Sequence, residues 1–342
     1  MWIDRWLIRR THRVRALPIV ILMPHSSCDC RCVMCDIWKG SGDVRQLNEE
    51  DVTGLLNDLR KLQTRWVVLS GGEPLLNPKL FRLCDLLRGA GVTRITLLST
   101  GQELAAKASR VAEAVDEVIV SLDGTESVHD EIRRVPGAYR RLGEGVAAIK
   151  ARAPELPVTG RCVIQRRNFA KWAEIVGAAM ELGLDHISFL AADVTSEAFN
   201  RSRPWAERRR SEVAPSEEQL FELEAAFKAL VAQCGAELHS GFITESPEKL
   251  HRIVSYYFAH NGGGGFPRVR CNAPWVSAVV EADGTVRPCF FHRPYGKLET
   301  TGFEDLINSP EAVRFRRQLD VATDDICRRC VCSLHLRPRQ PV

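Results

Sequence analysis

Between residues 17 and 192 the chain alternates short apolar runs with longer stretches whose apolar residues recur at helical spacing. The runs fall at 18–23, 66–69, 94–99, 117–122, 158–164 and 186–190, rich in Val, Ile and Leu with few polar interruptions. Parallel strands covered on both faces read this way. Between them, 49–62, 78–89, 103–115, 138–151 and 169–182 carry the apolar stripe of amphipathic helices. Asn48 with Asp51 and Ser127 with Asp130 read as helix starts, and Gly89, Gly91 and Gly183 as stops. Six strands separated by helices predict an α/β fold, a partial (β/α)6 TIM-like barrel. Its reactive groups belong at the carboxyl ends of the strands.

Beyond residue 192 the rhythm breaks. Residues 193–212 are polar and charged, with Arg208, Arg209 and Arg210 in a row, and read as a surface loop or lid. Residues 217–234 read as a helix that could close the side of the barrel. Asn261 and the four glycines after it read as a flexible joint, without the Gly-Lys-Ser/Thr ending of a phosphate loop. From Cys271 a small cysteine-bearing unit follows, with a hairpin expected at Asp283-Gly284. The expected organisation is an N-terminal extension over 1–16 and a barrel over 17–195. A lid loop, helix and linker then occupy 196–265, and the C-terminal unit 266–342.

Composition adds two facts. In a chain of 342 residues with 45% hydrophobic and 26% charged residues, a large core is expected. The net charge of +4 is matched by the first fifteen residues alone, where Arg5, Arg9, Arg10, Arg13 and Arg15 face only Asp4. A neutral body excludes a broad nucleic-acid-binding face. With Trp2, Ile3, Trp6 and Leu7, the basic segment suits either a helix under the barrel or an amphipathic contact with a membrane surface. No run approaches the roughly 20 apolar residues of a membrane span, and no export signal is evident. The expected location is the cytoplasm.

The twelve cysteines are the outlier. Nine crowd into two places: Cys28, Cys30, Cys32 and Cys35, then Cys271, Cys289, Cys327, Cys330 and Cys332. In a reducing compartment such clusters read as metal ligands rather than disulfides. Cys28-x3-Cys32-x2-Cys35 directly follows the first strand, and three thiolates on one loop can hold three irons of a [4Fe–4S] cluster with the fourth iron open. Zinc is the alternative, although its sites usually draw on two separated ligand pairs. Cys30, between Asp29 and Arg31, is expected to turn away as a bystander. Gly71-Gly72-Glu73-Pro74 follows the second strand, where two glycines allow close backbone approach and Glu73 can accept from a ligand ammonium.

Together these residues resemble the radical S-adenosylmethionine (radical SAM) superfamily. The resemblance rests on Cys28 to Trp38, on Ser70 to Pro74, and on Ser121-Leu-Asp-Gly124 with His129, Asp130 and Arg133. It implies that Cys28, Cys32 and Cys35 hold a [4Fe–4S] cluster whose open iron chelates SAM. Gly71, Gly72, Glu73 and Pro74 would bind the amino end of SAM, Ser121 its ribose and Arg133 its carboxylate, with Ser99 and Thr100 lining the site. Met34 stands where the family often has an aromatic residue, and Trp38 is close by. Taken alone, His129 reads as a solvated residue at a helix start. Cys271-x12-Gly284-x4-Cys289 followed by Cys327-x2-Cys330 resembles the auxiliary-cluster extension of these enzymes, of SPASM or twitch type. The implied second site is one auxiliary [4Fe–4S] cluster on Cys271, Cys289, Cys327 and Cys330. A four-thiolate zinc site is the alternative, and Cys332 is a possible replacement ligand or a free thiol.

The implied chemistry is reductive cleavage of SAM to a 5′-deoxyadenosyl radical, which abstracts a substrate hydrogen. Oxidation is expected, either dehydrogenation or bond formation, with the auxiliary cluster as electron acceptor. The alternatives are an epimerase with Cys162 or Cys332 as hydrogen donor, a peptide maturase, or a non-catalytic iron–sulfur or zinc protein. Cys84, Cys162 and Cys234 otherwise read as small buried hydrophobes. The short stretch before Cys28 favours a small-molecule, sugar or lipid-linked substrate over a peptide. The implied reductant is of flavodoxin or ferredoxin type.

Overall fold

The computed structural model describes residues 10–40, 43–201, 203–298 and 301–337. Most of the N-terminal extension, with Trp2, Ile3, Trp6 and Leu7, therefore lies outside the described residues. Six parallel strands form one sheet: β1 (Ile19–Leu22), β2 (Trp66–Leu69), β3 (Arg94–Ser99), β4 (Glu117–Ser121), β5 (Val158–Ile164) and β6 (His186–Ala191). The helices between them are α1 (Glu49–Lys61), α2 (Leu80–Gly89), α3 (Leu104–Ala114), α4 (Glu126–Arg133), α5 (Ala138–Arg152) and α6 (Trp172–Glu181). Asn48 and Asp51 form the capping box expected for α1. Ser127 and Asp130 do not start a helix; they lie inside α4, which begins after Thr125. Two further long helices, α7 (Leu220–Gln233) and α8 (Pro247–His260), follow β6.

The hairpin at Asp283-Gly284 forms, with Gly284 at a φ of 80°. It extends the barrel sheet instead of building a separate one. Its first strand, β7 (Ser277–Val280), runs parallel to β1 and pairs Ile19 with Ser277 and Leu22 with Val280. After it, β8 (Thr285–Arg287) and β9 (Gly296–Lys297) continue antiparallel, giving the order β6-β5-β4-β3-β2-β1-β7-β8-β9. The sheet is open, with β6 and β9 at its edges.

Its two faces differ. Val20, Leu22, Val67, Leu69, Ile95, Leu97, Val118 and Val120 point to the helices and build the main core with Leu55, Leu87, Leu104 and Ile149. The alternate residues line the concave face. There Trp66 donates to Thr96 Oγ1 at 2.9 Å, Thr96 donates to Glu117 at 3.0 Å, and Arg94 pairs with Glu117 at 2.8 Å. Ile19, Val276 and Leu336, with Trp275 and Leu334, close this end. The opposite end, where the strands finish, is left for loops. Among the described residues no helix is long and apolar enough to cross a membrane.

Candidate metal and cofactor sites

The strand ends bring the first set of expected residues together. The cysteine loop follows β1, Gly71–Glu73 follow β2, Ser99 ends β3 with Thr100 next, and Ser121 ends β4. Gly72 packs against the loop after β1 so closely that a Cβ would sit 2.0 Å from the Ser27 carbonyl oxygen. Gly71 has a φ of +108°, and a Cβ there would meet Met23 Cβ at 2.8 Å. These glycines therefore serve the approach of one loop to another, a close contact that the motif alone attributes to a ligand. The Glu73 amide donates to Ser27 O at 2.9 Å and completes the junction.

The Glu73 carboxylate is fully buried and already bonded. It accepts from Leu75 N at 3.0 Å, Thr100 N at 2.6 Å and Ser99 Oγ at 3.1 Å. Burial, reinforced by the nearby Asp29 carboxylate, pushes its pKa up to about 7. Thr100 in turn donates to Asp29 Oδ1 at 2.9 Å, while Asp29 Oδ2 is buried without a partner. Glu73, Ser99, Thr100 and Asp29 thus form one polar cluster beside the cysteine loop.

The loop itself is held from several sides. Trp38 donates its indole N–H to the carbonyls of Cys35 at 2.8 Å and Cys32 at 3.2 Å, and Ile37 N points at Cys35 Sγ at 3.4 Å. Cys30 does not turn away as expected: it is buried, and its thiol lies within hydrogen-bonding reach of both Cys28 and Cys32. The Cys30 thiol donating to Cys32, helped by the Arg133 guanidinium, lowers the Cys32 pKa to about 7. Burial, with Cys32 next in effect, pushes Cys35 up to about 12.

Arg133, expected at the SAM carboxylate, lies against the cysteine loop. It is buried, pairs with Asp123 at 2.5 Å and donates to Cys32 Sγ at 3.4 Å. Asp123 is fully buried and also accepts from Val163 N at 3.0 Å. His129 is buried too, not solvated. It accepts from Asp123 N at 3.2 Å, and burial lowers its pKa to about 3, so the ring is neutral.

Within the polar segment 193–212, Asp193, Val194, Ala198, Arg201 and Trp205 pack inward, while Glu207 and Arg208 stay exposed. Arg201 is buried, pairs with Asp193 at 2.8 Å, lies 3.7 Å from the Trp205 ring centre and donates to Met34 O at 3.4 Å. Trp205 donates to Asp36 at 2.6 Å and Arg209 to Val33 O at 2.5 Å, so the segment is strapped to the cysteine loop. Phe199, at a φ of 61°, stacks on Phe290 next to Cys289. Phe199 and Arg201 line a cleft of about 380 Å3 together with Met23, His25, Gly72, Arg287 and Phe290.

The C-terminal cysteines form the second gathering. Cys289, Cys327 and Cys330 each lie within electrostatic reach of Cys271, and so does Cys332. Ala273 N points at Cys271 Sγ at 3.4 Å, the amides of Phe291 and His292 at Cys289, and Cys332 N at Cys330. At Cys327 the imidazole Nε2 of His292 stands 3.3 Å from the sulfur. The Cys332 thiol lies near Arg161 and Lys249. Cys162 alternates with the concave residues Arg161 and Val163 and points the other way, fully buried in the helix-facing core with Ile164. Asn168 lies 3.5 Å from its sulfur. The condition for Cys162 as a hydrogen donor, a side chain facing the barrel interior, is not met.

Both donor sets suit iron–sulfur clusters: soft sulfur ligands converge, and N–H donors point at several of the sulfurs. Spacing did not single out Asp123, Arg201, His292 or Gln165. Gln165 is fully buried just past β5, with both amide atoms unpartnered. His292, three residues after Cys289, could have been noticed as a donor beside a ligand cysteine.

The chain matches the Radical SAM superfamily over residues 22–192 and SPASM, an iron–sulfur cluster-binding domain, over residues 271–331. It is 33% identical over 192 residues to pre-heme d1 synthase of Dinoroseobacter shibae, covering 54% of this chain and 46% of that protein. The match thus spans about half the length of that relative. The Fe-coproporphyrin III synthase of Methanosarcina barkeri is 25% identical, with 94% of this chain and 84% of that protein covered. PqqA peptide cyclase of Streptomyces rochei is 27% identical over 71% of this chain and 61% of that protein. Among solved structures, native anSMEcpe with bound AdoMet shares the fold at a TM-score of 0.66 and 16% identity, covering 90% of this chain and 84% of that one. Strand order, paired cysteine sites and both matched regions agree: the chain belongs to the radical SAM superfamily and carries a C-terminal SPASM domain.

Proposed function

We propose that this radical SAM enzyme oxidises its substrate, by dehydrogenation or bond formation, with the SPASM cluster as electron acceptor. When bound, the first cluster supplies the electron that cleaves SAM, and the second takes the electron left on the substrate after a hydrogen atom and a proton have gone. Cys28, Cys32 and Cys35 hold the first cluster, and Cys271, Cys289, Cys327 and Cys330 the second. Gly71, Gly72, Glu73, Pro74, Ser99 and Ser121 line the SAM site. Arg133 remains a SAM-site residue in this reading, and its guanidinium also steadies Cys32, where Asp123 fixes it.

The observation that carries this reading is the pairing of β7 with β1. It brings residues beside Cys289 and residues leading into Cys28 into the lining of one cleft. Residues 197–201 line that cleft, and Arg201 and Arg209 tie the segment to the cysteine loop, where it would limit access of water to a reactive centre.

Tetrapyrroles are the first substrate class to offer, because the alignment with Fe-coproporphyrin III synthase runs through nearly the whole chain. Peptides are the second, on the match to PqqA peptide cyclase. The test is anaerobic turnover with SAM and a chemical reductant, scoring 5′-deoxyadenosine and product together. A Cys289→Ala/Cys327→Ala variant is expected to keep SAM cleavage and lose the oxidised product, while Cys332→Ala keeps both. Loss of turnover in Cys332→Ala, with the wild-type product an epimer, would overturn oxidation in favour of hydrogen return by that thiol.

A further inference from the structure

We infer that His292 is the hydrogen-bond donor that tunes the auxiliary cluster, through Nε2–H to the Cys327 sulfur. The inference deepens the oxidative reading above and rests on it only for its consequence, not for the hydrogen bond itself.

His292 is buried, with Nε2 3.3 Å from Cys327 Sγ and 3.7 Å from Asp324 Oδ1. Three potential metal donors so close raise the possibility of a separate mononuclear site. Two ligands of one tetrahedral zinc ion would stand about 3.5 Å apart, given bonds of about 2.0 and 2.3 Å, so distance alone does not decide. Asp324 decides against it. Its Oδ1 caps a helix, accepting from Ile326 N at 3.0 Å and Cys327 N at 2.8 Å, and it is this engaged oxygen that lies nearest the ring. Cys327 in turn is within electrostatic reach of Cys271 and Cys289, which places it in the shared sulfur set. Ligands on different irons of a cubane cannot touch as closely as Nε2 and Sγ do here. What remains is a donor directed at a ligand sulfur.

The ring is braced for that position. Its edge packs on Phe315, with centroids 5.0 Å apart at 64°. The backbone carbonyl of His292 accepts from Arg287 Nη1 at 3.2 Å, and Arg287 is paired with Glu281 at 2.6 Å. Glu281 and Arg287 both line the cleft, so one short chain of polar contacts runs from the substrate side to the cluster ligand. A donor on a thiolate stabilises the extra negative charge of a reduced cluster and therefore raises its potential. His292 is thus a positioning residue that makes the SPASM cluster a better electron acceptor.

The test uses the full chain carrying Cys28/Cys32/Cys35→Ala, so that only the C-terminal cluster contributes. Iron and zinc are counted, and the midpoint potential is read by EPR-monitored titration, with His292→Phe and His292→Gln compared. The expected result is unchanged iron in both variants. In His292→Phe the reduction equilibrium falls about tenfold, a shift of about −59 mV for one electron. His292→Gln, which keeps an N–H donor, recovers most of that shift. An unchanged potential in His292→Phe with iron retained overturns the inference. So does loss of iron in both variants, or one zinc per chain that disappears with the imidazole, since either makes His292 a ligand or a scaffold. Product formation is scored separately, with His292→Phe in a chain that keeps Cys28, Cys32 and Cys35, so failure of the oxidative reading leaves the potential shift standing.

Discussion

The first cysteine loop takes all its sulfurs from Cys28 to Cys35, on one turn of chain after β1, whereas the second draws on segments from Cys271 to Cys332. The two also treat their sulfurs differently. At the first, a permanently charged guanidinium lies against Cys32, and that cation is buried together with its own counter-ion, Asp123. At the second, backbone amides and one imidazole supply the donors. The charged arrangement is the more fragile, because removing one partner strands a charge in a low-dielectric interior. The neutral arrangement can be trimmed with less harm, which leaves room to adjust a potential without endangering the fold.

Breaking the ion pair should have the largest effect on stability. Asp123→Asn leaves Arg133 buried without its anion and is expected to cost about 3–5 kcal/mol. The denaturant midpoint of the iron-loaded protein would show it; a change under a tenth of that size would mean the pair is not what steadies the first site. Gly72→Ala comes next, at roughly 1–3 kcal/mol, because the added methyl collides with the Ser27 carbonyl rather than with a movable side chain. Its signature should be local as well: iron held by the first site falls while the C-terminal cluster stays. Equal loss at both sites would show that the junction of the first two loops supports the whole molecule. The His292 substitutions complete the series at its small end, altering a potential while iron content stays level.

The same contrast explains what could be read from the sequence. The bounds of β2, β3 and β5 follow from their apolar runs, and the first cysteine loop follows from spacing within a few residues. The second site depends on β7 joining β1 across more than two hundred residues, and no local pattern announces that pairing. The side on which Cys162 lies was legible in part, since Thr159 and Arg161 alternate with Val158, Gly160 and Cys162 and mark the opposite face of β5 as the polar one. Residues 193–212 were legible only in part. Glu207 and Arg208 are exposed as a surface segment should be, but Asp193 neutralises Arg201 and Trp205 covers it, so the polar start of the stretch is buried. His129 and Asp123 were legible only as a strand end and a turn. Their role in holding Arg133 and the following loop emerges once α4 returns toward Cys32.

The proposed chemistry turns on two separate iron–sulfur sites, one after β1 and one in the SPASM region. Iron and sulfide content after anaerobic reconstitution tests it most directly, with wild type measured beside Cys28/Cys32/Cys35→Ala. About eight irons per chain are expected, falling to about four in the variant. About four irons in the wild type and none in the variant would contradict it, leaving the C-terminal cysteines without a cluster to accept an electron.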